Sequence, residues 1–350
     1  PRRVIEEEIR YIESCGVEIL YNSPIDARHT VDDLMKEGFD AVFIAAGAQA
    51  SKRIGIPGED EGLEGLSYGL AFLTDVRMGR HVALKGKTVV LGGGNVAIDV
   101  ARTATRLALE GDFPVDGASD VQLFCLESRP EMPAWEKEIQ EATDEGIAIN
   151  ASWGPRRIIS EAGRVTGIEF VRCVSVFDDE GNFKPKFDDS STQLVDADNI
   201  LISIGQAPDP SFLSEDLKLE RELWGTLAVN DNTLATNIDG VFAGGDFTTG
   251  PTYVIRAIAS GRRAALAIHQ FLQGDADRIR IPDEKTLMAE GAGLALDEET
   301  TESVPRAQVA LENPRERVRD FREIEKGLTK DQALREATRC LRCDLEKERA

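Results

Sequence analysis

Val89-Val90-Leu91-Gly92-Gly93-Gly94-Asn95-Val96-Ala97-Ile98-Asp99 is an apolar strand, a glycine turn and a helix start in immediate succession. A short apolar run that ends at glycines suits a strand buried on both faces, and helical periodicity continues from Val96 to Leu109. In that context a glycine turn is built for a dinucleotide. Gly92 permits the sharp turn, Gly94 lets backbone N–H groups approach a pyrophosphate, and Ala97 keeps the helix close to the strand. Asn95 and Val96 open the helix, whose N-terminus faces the anion. The alternative is a tight turn without a ligand.

The next strand, Val121 to Leu126, runs into Cys125-Leu126-Glu127-Ser128-Arg129. In such a unit the end of the second strand lies beside the adenosine ribose, which makes Glu127, Ser128 and Arg129 the expected contacts there. A carboxylate at Glu127 accepts from both ribose hydroxyls and repels the extra phosphate of NADP, which favours NADH. Arg129 keeps NADPH open, because one guanidinium can hold a phosphate with charge-assisted bonds worth roughly 1.5–3 kcal/mol. A solvated surface carboxylate is the other reading of Glu127.

Around this unit the chain alternates helices and strands, and the fold class it spells is α/β with two dinucleotide-binding, Rossmann-like domains. Before it come an amphipathic helix on Val4, Ile5, Ile9 and Ile12, a strand at Val17 to Leu20, a helix at Val31 to Glu37 and a buried strand at Asp40 to Gly47. A helix from Tyr68 to Arg77 follows the Ile56-Pro57-Gly58 break. After the glycine turn come helix Ala134 to Glu145 and strands Ile147 to Ala151, Val165 to Cys173 and Asn199 to Ile204. A hairpin with Asp178-Asp179-Glu180-Gly181 at its turn precedes the last of these. The chain then returns to the first domain with a strand at Gly240 to Ala243 and a helix from Tyr253 to Leu272. The expected division is 1–80 and 206–274 for a first domain, 81–205 for a nicotinamide domain inserted in it, 275–314 for a linker and 315–350 for a helical tail.

The bulk numbers exclude several classes of function. A formal charge of −22 over 350 residues repels a phosphate backbone, so nucleic acid is not an expected partner. No apolar run approaches the roughly 20 residues that cross a bilayer. The first residues carry no signal-peptide core, and five scattered cysteines are no disulfide framework, so a reducing cytoplasm is the expected compartment. His29, His81 and His269 are isolated in sequence, with no metal-ligand spacing.

A second constellation is Gly240-Val241-Phe242-Ala243-Gly244-Gly245-Asp246, followed by Gly250-Pro251-Thr252-Tyr253 and a helix. A carboxylate delivered just beyond a glycine pair can meet the ribityl hydroxyls of a flavin, and the next helix N-terminus can stabilise a reduced ring. A buried cap is the alternative. With Phe39 to Gly47, Ile56-Pro57-Gly58, Gly92 to Arg102, Glu131-Met132-Pro133-Ala134 and Ile202 to Asp209, this stretch resembles the small-subunit family of glutamate synthase. Through that family the chain resembles flavoproteins with two dinucleotide-binding domains related to thioredoxin reductase. The resemblance implies a nicotinamide domain inserted in an FAD domain, crossovers at Gly47 and Gly205, and FAD contacts at Gly245 and Asp246; Thr252 and Tyr253, at the start of the next helix, are the further expected cofactor contacts.

The chain departs from that family in three ways. Members that use NADPH carry two arginines where Leu126 and Glu127 stand here, which strengthens the NADH reading. No CxxC lies in the nicotinamide domain, which disfavours a thioredoxin-reductase-like disulfide mechanism. The glycine turn for the FAD pyrophosphate is missing, and a fragment, or a half supplied by another chain, is expected. The tail, Asp320-Phe321-Arg322-Glu323-Ile324 and then Glu336 to Cys343, resembles the segment that precedes iron–sulfur ligands in the family. Cys340 and Cys343 are two of the four thiolates a 4Fe-4S cubane needs, so a cluster there would be completed outside this chain; plain thiols are the alternative. Cys15, Cys125 and Cys173 read as core residues. The expected activity is hydride transfer from NADH, less favourably NADPH, to FAD, with electrons passing to iron–sulfur centres or a partner subunit. No side-chain acid or base is required. A disulfide reductase using Cys340 and Cys343 and a non-catalytic nucleotide-binding scaffold are the competing readings.

Overall fold

Three hydrophobic residues in a row, Val89, Val90 and Leu91, are all at most 1% exposed, as a strand covered on both faces requires. They form most of β4 (Thr88–Leu91) in the computed structural model, which describes residues 2–82, 84, 86–109, 120–222, 225–274 and 305–337. Four parallel strands join it: β3 (Leu66–Tyr68), β5 (Val121–Phe124), β6 (Ala148–Asn150) and β10 (Asn199–Ile202), in the order β3-β10-β4-β5-β6. From β4 the chain passes through α4 (Asn95–Leu109) to β5 on one side, while β10 lies on the other. The strand order therefore reverses at the carboxyl end of β4, where the glycine turn sits, and such a reversal opens a crevice for a ligand.

The alternation of side chains along these strands gives the domain three layers. Val90, Leu123 and Leu201 face Phe72 of α3 (Gly69–Arg77), Ala97, Val100, Ala101 and Ala104 of α4, and Ile139 and Ala142 of α5 (Glu136–Asp144). Val89, Leu91, Phe124, Ile200 and Ile202 face the other way, onto Ile158, Ile168 and Phe170. These belong to an antiparallel meander of β7 (Trp153–Glu161), β8 (Arg164–Phe177) and β9 (Phe183–Asp196). Phe124 and Phe170 stack across the interface with centroids 4.1 Å apart. Each such aliphatic or aromatic side chain contributes roughly 1.5–3 kcal/mol by leaving water. The sheet draws in Leu66–Tyr68 and α3, which the sequence divides off before residue 81.

The first and third stretches of the chain meet in a second, smaller core. β1 (Val42–Ile44) pairs in parallel with β12 (Val241–Ala243), and Ile44, Val241 and Ala243 pack with Val31 of α2 (Val31–Lys36) and Phe247 of α6 (Asp246–Thr249). Helix α7 (Val254–Leu272) lies beside β12. The two chain crossings between the cores also pair: β2 (Ala50–Ser51) runs antiparallel to β11 (Gln206–Ala207), and Lys52 N–H donates to the Gly205 carbonyl at 3.0 Å. Helix α1 (Arg2–Ser14) buries none of its residues.

Several expectations need correction. Val17 to Leu20 is not a strand: Val17 is 49% and Leu20 69% exposed, and the segment finds no pairing partner among the described residues, so alternation alone does not hold it extended. Cys15 is exposed, because α1 turns no face to a core; Cys125 and Cys173 are buried as expected. Strand β7 goes unread in the sequence, since Pro155, Arg156 and Arg157 disfavour it locally; pairing with β8 imposes it, and the register shifts between Pro155 and Arg157. The tail is not one helix from Arg315. A turn at α8 (Pro314–Arg317) is followed by an extended segment that bridges back to Leu311 through Glu325, and then by α9 (Lys330–Ala337). Arg322 N–H donates to Asp320 Oδ1 at 3.0 Å and Gly327 takes φ +75°, both incompatible with a continuous helix. The polar insertion around 110–119, the linker 275–304, and Cys340 and Cys343 lie outside the described residues.

Candidate dinucleotide and flavin sites

Gly92 takes φ +137°, and a Cβ there would lie 2.2 Å from the Ser203 carbonyl oxygen and 3.2 Å from the Ala97 Cβ. The turn is therefore pressed against the end of β10 and against the first turn of α4, and only glycine fits. At Gly93 a Cβ would sit 2.8 Å from Glu127 Oε2 and 3.1 Å from the Cys125 Cβ. The Glu127 carboxylate thus packs directly on the turn. Gly94 is different: nothing lies within 4 Å of its Cβ direction, so the turn presents open space there, beside the helix N-terminus. The first N–H groups of a helix have no intrahelical acceptor, and an anion placed in that space meets them. The residues present fit a dinucleotide pyrophosphate.

The stretch after β5 folds over this turn. Ala134 N–H donates to the Gly93 carbonyl at 3.1 Å, and Trp135 N–H donates to Asn95 Oδ1 at 2.9 Å. Ser128 and Glu131 close a capping box around the single turn between them, and Ser152 N–H donates to the Glu127 carbonyl at 2.8 Å. Arg129 reaches Glu136 Oε1 at 2.6 Å in an exposed pair. A pair of that kind is worth about 0–1 kcal/mol, so Arg129 is engaged but not locked. Gly92, Gly94, Asn95, Val96, Ala97, Glu127, Ser128 and Arg129 therefore stand together at the carboxyl end of β4 and β5. The hold of Trp135 on Asn95 has no signature in the sequence.

The second constellation is also assembled. Gly245 adopts φ +64° and ψ −155°, and its N–H donates to Ser260 Oγ at 3.0 Å. Asp246 Oδ1 accepts from the Thr252 N–H and hydroxyl, each at 3.0 Å, and so draws Thr252 and Tyr253 to the start of α7. Asp246 is thus a cap, but a partly exposed one, where the alternative reading of the sequence has a buried cap. Beyond it Tyr253, Val254, Ile255 and Ile258 are 60–77% exposed, an apolar surface that a flavin or further protein would cover. Gly47, at φ +70°, and Gly205, at φ +114°, flank the paired crossings β2 and β11.

Burial first, then the negative charge of Glu127, pushes the Cys125 thiol up to about 12, and burial raises Cys173 as well. Neither is a thiolate at neutral pH, so neither serves as a nucleophile. Among the described residues no group of three or more His, Cys, Asp or Glu is placed to hold a metal ion, and no helix is long and apolar enough to cross a membrane.

A charged cluster that sequence reading passes over lies behind the dinucleotide turn. Glu145, whose side chain is wholly buried, lies 2.8 Å from Arg102 Nη2, 3.1 Å from Arg106 Nη2 and 2.7 Å from Arg317 Nε. Arg102 also meets Glu141 at 2.9 Å and Glu138 at 3.1 Å.

Residues 4–261 match the family model described as pyridine nucleotide-disulphide oxidoreductase. The chain is 38% identical over 348 residues to the NADP(+)-dependent formate dehydrogenase subunit beta of Moorella thermoacetica, covering 98% of this chain and 48% of that protein. It is 34% identical over 374 residues to the NADPH-Fe(3+) oxidoreductase subunit beta of Geobacter sulfurreducens, covering 98% and 54%. Against the glutamate synthase (NADPH) small chain of Azospirillum brasilense it is 31% identical over 292 residues, covering 79% and 58%. The chain thus spans about half the length of the curated relatives it matches. Among solved structures it is similar to Mycobacterium tuberculosis FprA in complex with NADPH, with a TM-score of 0.55 at 19% identity, covering 75% of this chain and 70% of that one. That likeness bears out the α/β fold of two dinucleotide-binding domains.

Proposed function

This chain belongs to the pyridine nucleotide-disulphide oxidoreductase family, and from that premise we propose that it takes hydride from NADH bound at Gly92 to Ala97 and hands the electrons on to a partner. The proposal rests above all on one observation: the Glu127 carboxylate packs on Gly93 while the space at Gly94 is open. The pyrophosphate is met by backbone N–H groups at the start of α4, and Glu127 accepts from the ribose hydroxyls beside it. The same carboxylate opposes a 2′-phosphate. Relatives are named for NADP(+) or NADPH, so the preference for NADH is carried by this chain's own Glu127.

FAD, when bound, supplies an acceptor for two electrons that can be released one at a time. Gly245, Asp246, Thr252 and Tyr253 are the residues that would hold its ribityl chain and ring edge, with Gly47 and Gly205 at the crossings. Asp246 orients the loop before α7 through Thr252, and the α7 N-terminus favours negative charge at that point. Iron–sulfur centres, with Cys340 and Cys343 as candidate ligands, and a partner subunit are the onward route that the resemblance implies. The buried, protonated states of Cys125 and Cys173 weigh against a dithiol mechanism in the nucleotide domain.

Calorimetric titration of the purified protein with NADH and with NADPH tests the nucleotide reading. Tighter binding of NADH by about tenfold or more is expected, the lower end of what one charge-assisted contact supplies. Equal or tighter binding of NADPH would overturn the preference, and no binding of either would overturn the site.

A further inference from the structure

We infer that Arg317 is a positioning residue for the dinucleotide turn and acts on it through α5. The inference rests on the reading of Gly92 to Ala97 as the nicotinamide-dinucleotide site. Helix α5 is nine residues long, about 13 Å from end to end. At its N-terminal end it is tied to the turn, by Trp135 N–H on Asn95 Oδ1, by Ala134 N–H on the Gly93 carbonyl and by Glu136 on Arg129. Glu138 in its first turn and Glu141 further along meet Arg102, and Glu145 at its C-cap meets Arg102 and Arg317. One body therefore touches the turn at one end and Arg317 at the other.

Arg317 is the largest fully buried side chain of the described residues, at 1% exposure, and it lies 176 residues beyond Glu141 in the chain. Its Nη2 donates to the Glu141 carbonyl at 3.0 Å, its Nε lies 2.7 Å from Glu145 Oε1, and its own carbonyl accepts from Arg106 Nε at 3.1 Å. Val318 beside it is wholly buried. Glu312 N–H to the Ile324 carbonyl and Lys326 N–H to the Ala310 carbonyl hold the segment as a strap, which Lys137 of α5 fastens again through Glu325. Glu145 has no access to water and meets three arginines, whereas Glu138 is partly exposed and Glu141 also has Lys137 at 3.8 Å. Without Arg317 the wholly buried Glu145 carboxylate keeps only Arg102 and Arg106, and the last turn of α5 is expected to move to relieve it.

A close-packed helix does not absorb such a shift locally, so it reaches Ser128 to Trp135 and with them Asn95 and Gly93. The coupling is reciprocal: a dinucleotide that fixes the turn also fixes the strap. Hydrogen exchange of the unmodified protein, with and without saturating NADH, reads this without any variant. Slower exchange is expected both at Gly93 to Ala97 and at Glu312 to Lys326. Protection of the turn with no change in the strap would overturn the coupling. In parallel, Arg317→Ala is expected to weaken NADH binding at least about fivefold, the lower edge of ordinary site coupling, with Arg317→Lys in between. Ile168→Val in the meander core, compared as a stability control, is expected to leave the dissociation constant unchanged. A folded Arg317→Ala protein that binds NADH as tightly as the parent would overturn the inference, as would equal weakening by Ile168→Val. If the unmodified protein neither binds NADH nor gains protection at the turn, the failure lies with the site reading itself, and the inference falls with it.

Discussion

In the proposed function, cofactor choice turns on Glu127. Its carboxylate lies against Gly93, where it would accept hydrogen bonds from a ribose diol and repel a phosphate. Replacing it with arginine reverses both effects. The Glu127→Arg variant is expected to raise the ratio of kcat/KM for NADPH over NADH by roughly tenfold to a hundredfold, the worth of a charge-assisted bond of 1.5–3 kcal/mol; steady-state kinetics with both nucleotides checks it, and an unchanged ratio would remove Glu127 from the site. The cysteines give a second prediction at this scale. With its thiol pushed up to about 12 by burial and by Glu127, Cys125 stays protonated, and Cys173 is buried too, whereas Cys15 is exposed. Brief alkylation of the native protein near pH 8 followed by peptide mass analysis is expected to label Cys15 and to spare Cys125 and Cys173.

The strand–turn–helix at Thr88 to Leu109 was legible almost to the residue, because everything that specifies it is local: an apolar run, glycines, helical spacing. The glycine requirement can be tested directly. Gly92→Ala puts a Cβ 2.2 Å from the Ser203 carbonyl at φ +137°, so it is expected to lower stability by at least about 1–3 kcal/mol in denaturant unfolding and to weaken nucleotide binding. Strand β7 and the split tail were not legible, because β7 is imposed by its pairing with β8 and the tail's course by where Arg317 and Val318 are buried. Arginines and glutamates in a row read as a solvated surface until the fold brings three of each together. Glu59 shows the same blindness at a linker. It is buried and accepts from Gly55 N–H at 2.6 Å, Ile54 N–H at 3.1 Å and the Tyr68 hydroxyl at 2.9 Å. Burial alone would raise its carboxyl, but these donors outweigh burial and hold it below the ordinary range. A depressed carboxyl contributes stability that is present above its unfolded value and is lost as pH falls through the folded one. Glu59→Gln is therefore expected to be less stable than the parent at neutral pH, with the gap closing on acidification below the ordinary carboxylate range; thermal unfolding against pH measures it.

For the whole molecule, two cores are joined by the paired crossings β2 and β11, and a strap from the far end of the chain is clamped onto the larger of them. The alternation of elements made the two-domain α/β architecture legible, and the family follows from the match over residues 4–261. The strap's return was not, since a contact across 176 residues leaves no periodic trace. The chain covers about half the length of these relatives. On the proposed function, the described residues supply a place for the nicotinamide dinucleotide and part of a flavin cradle. Anaerobic stopped-flow mixing of the intact, flavin-loaded protein with NADH tests the central claim most directly. Rapid loss of the oxidised flavin's visible absorbance, faster with NADH than with NADPH, is the predicted result; a flavin that keeps its absorbance with both nucleotides would contradict it.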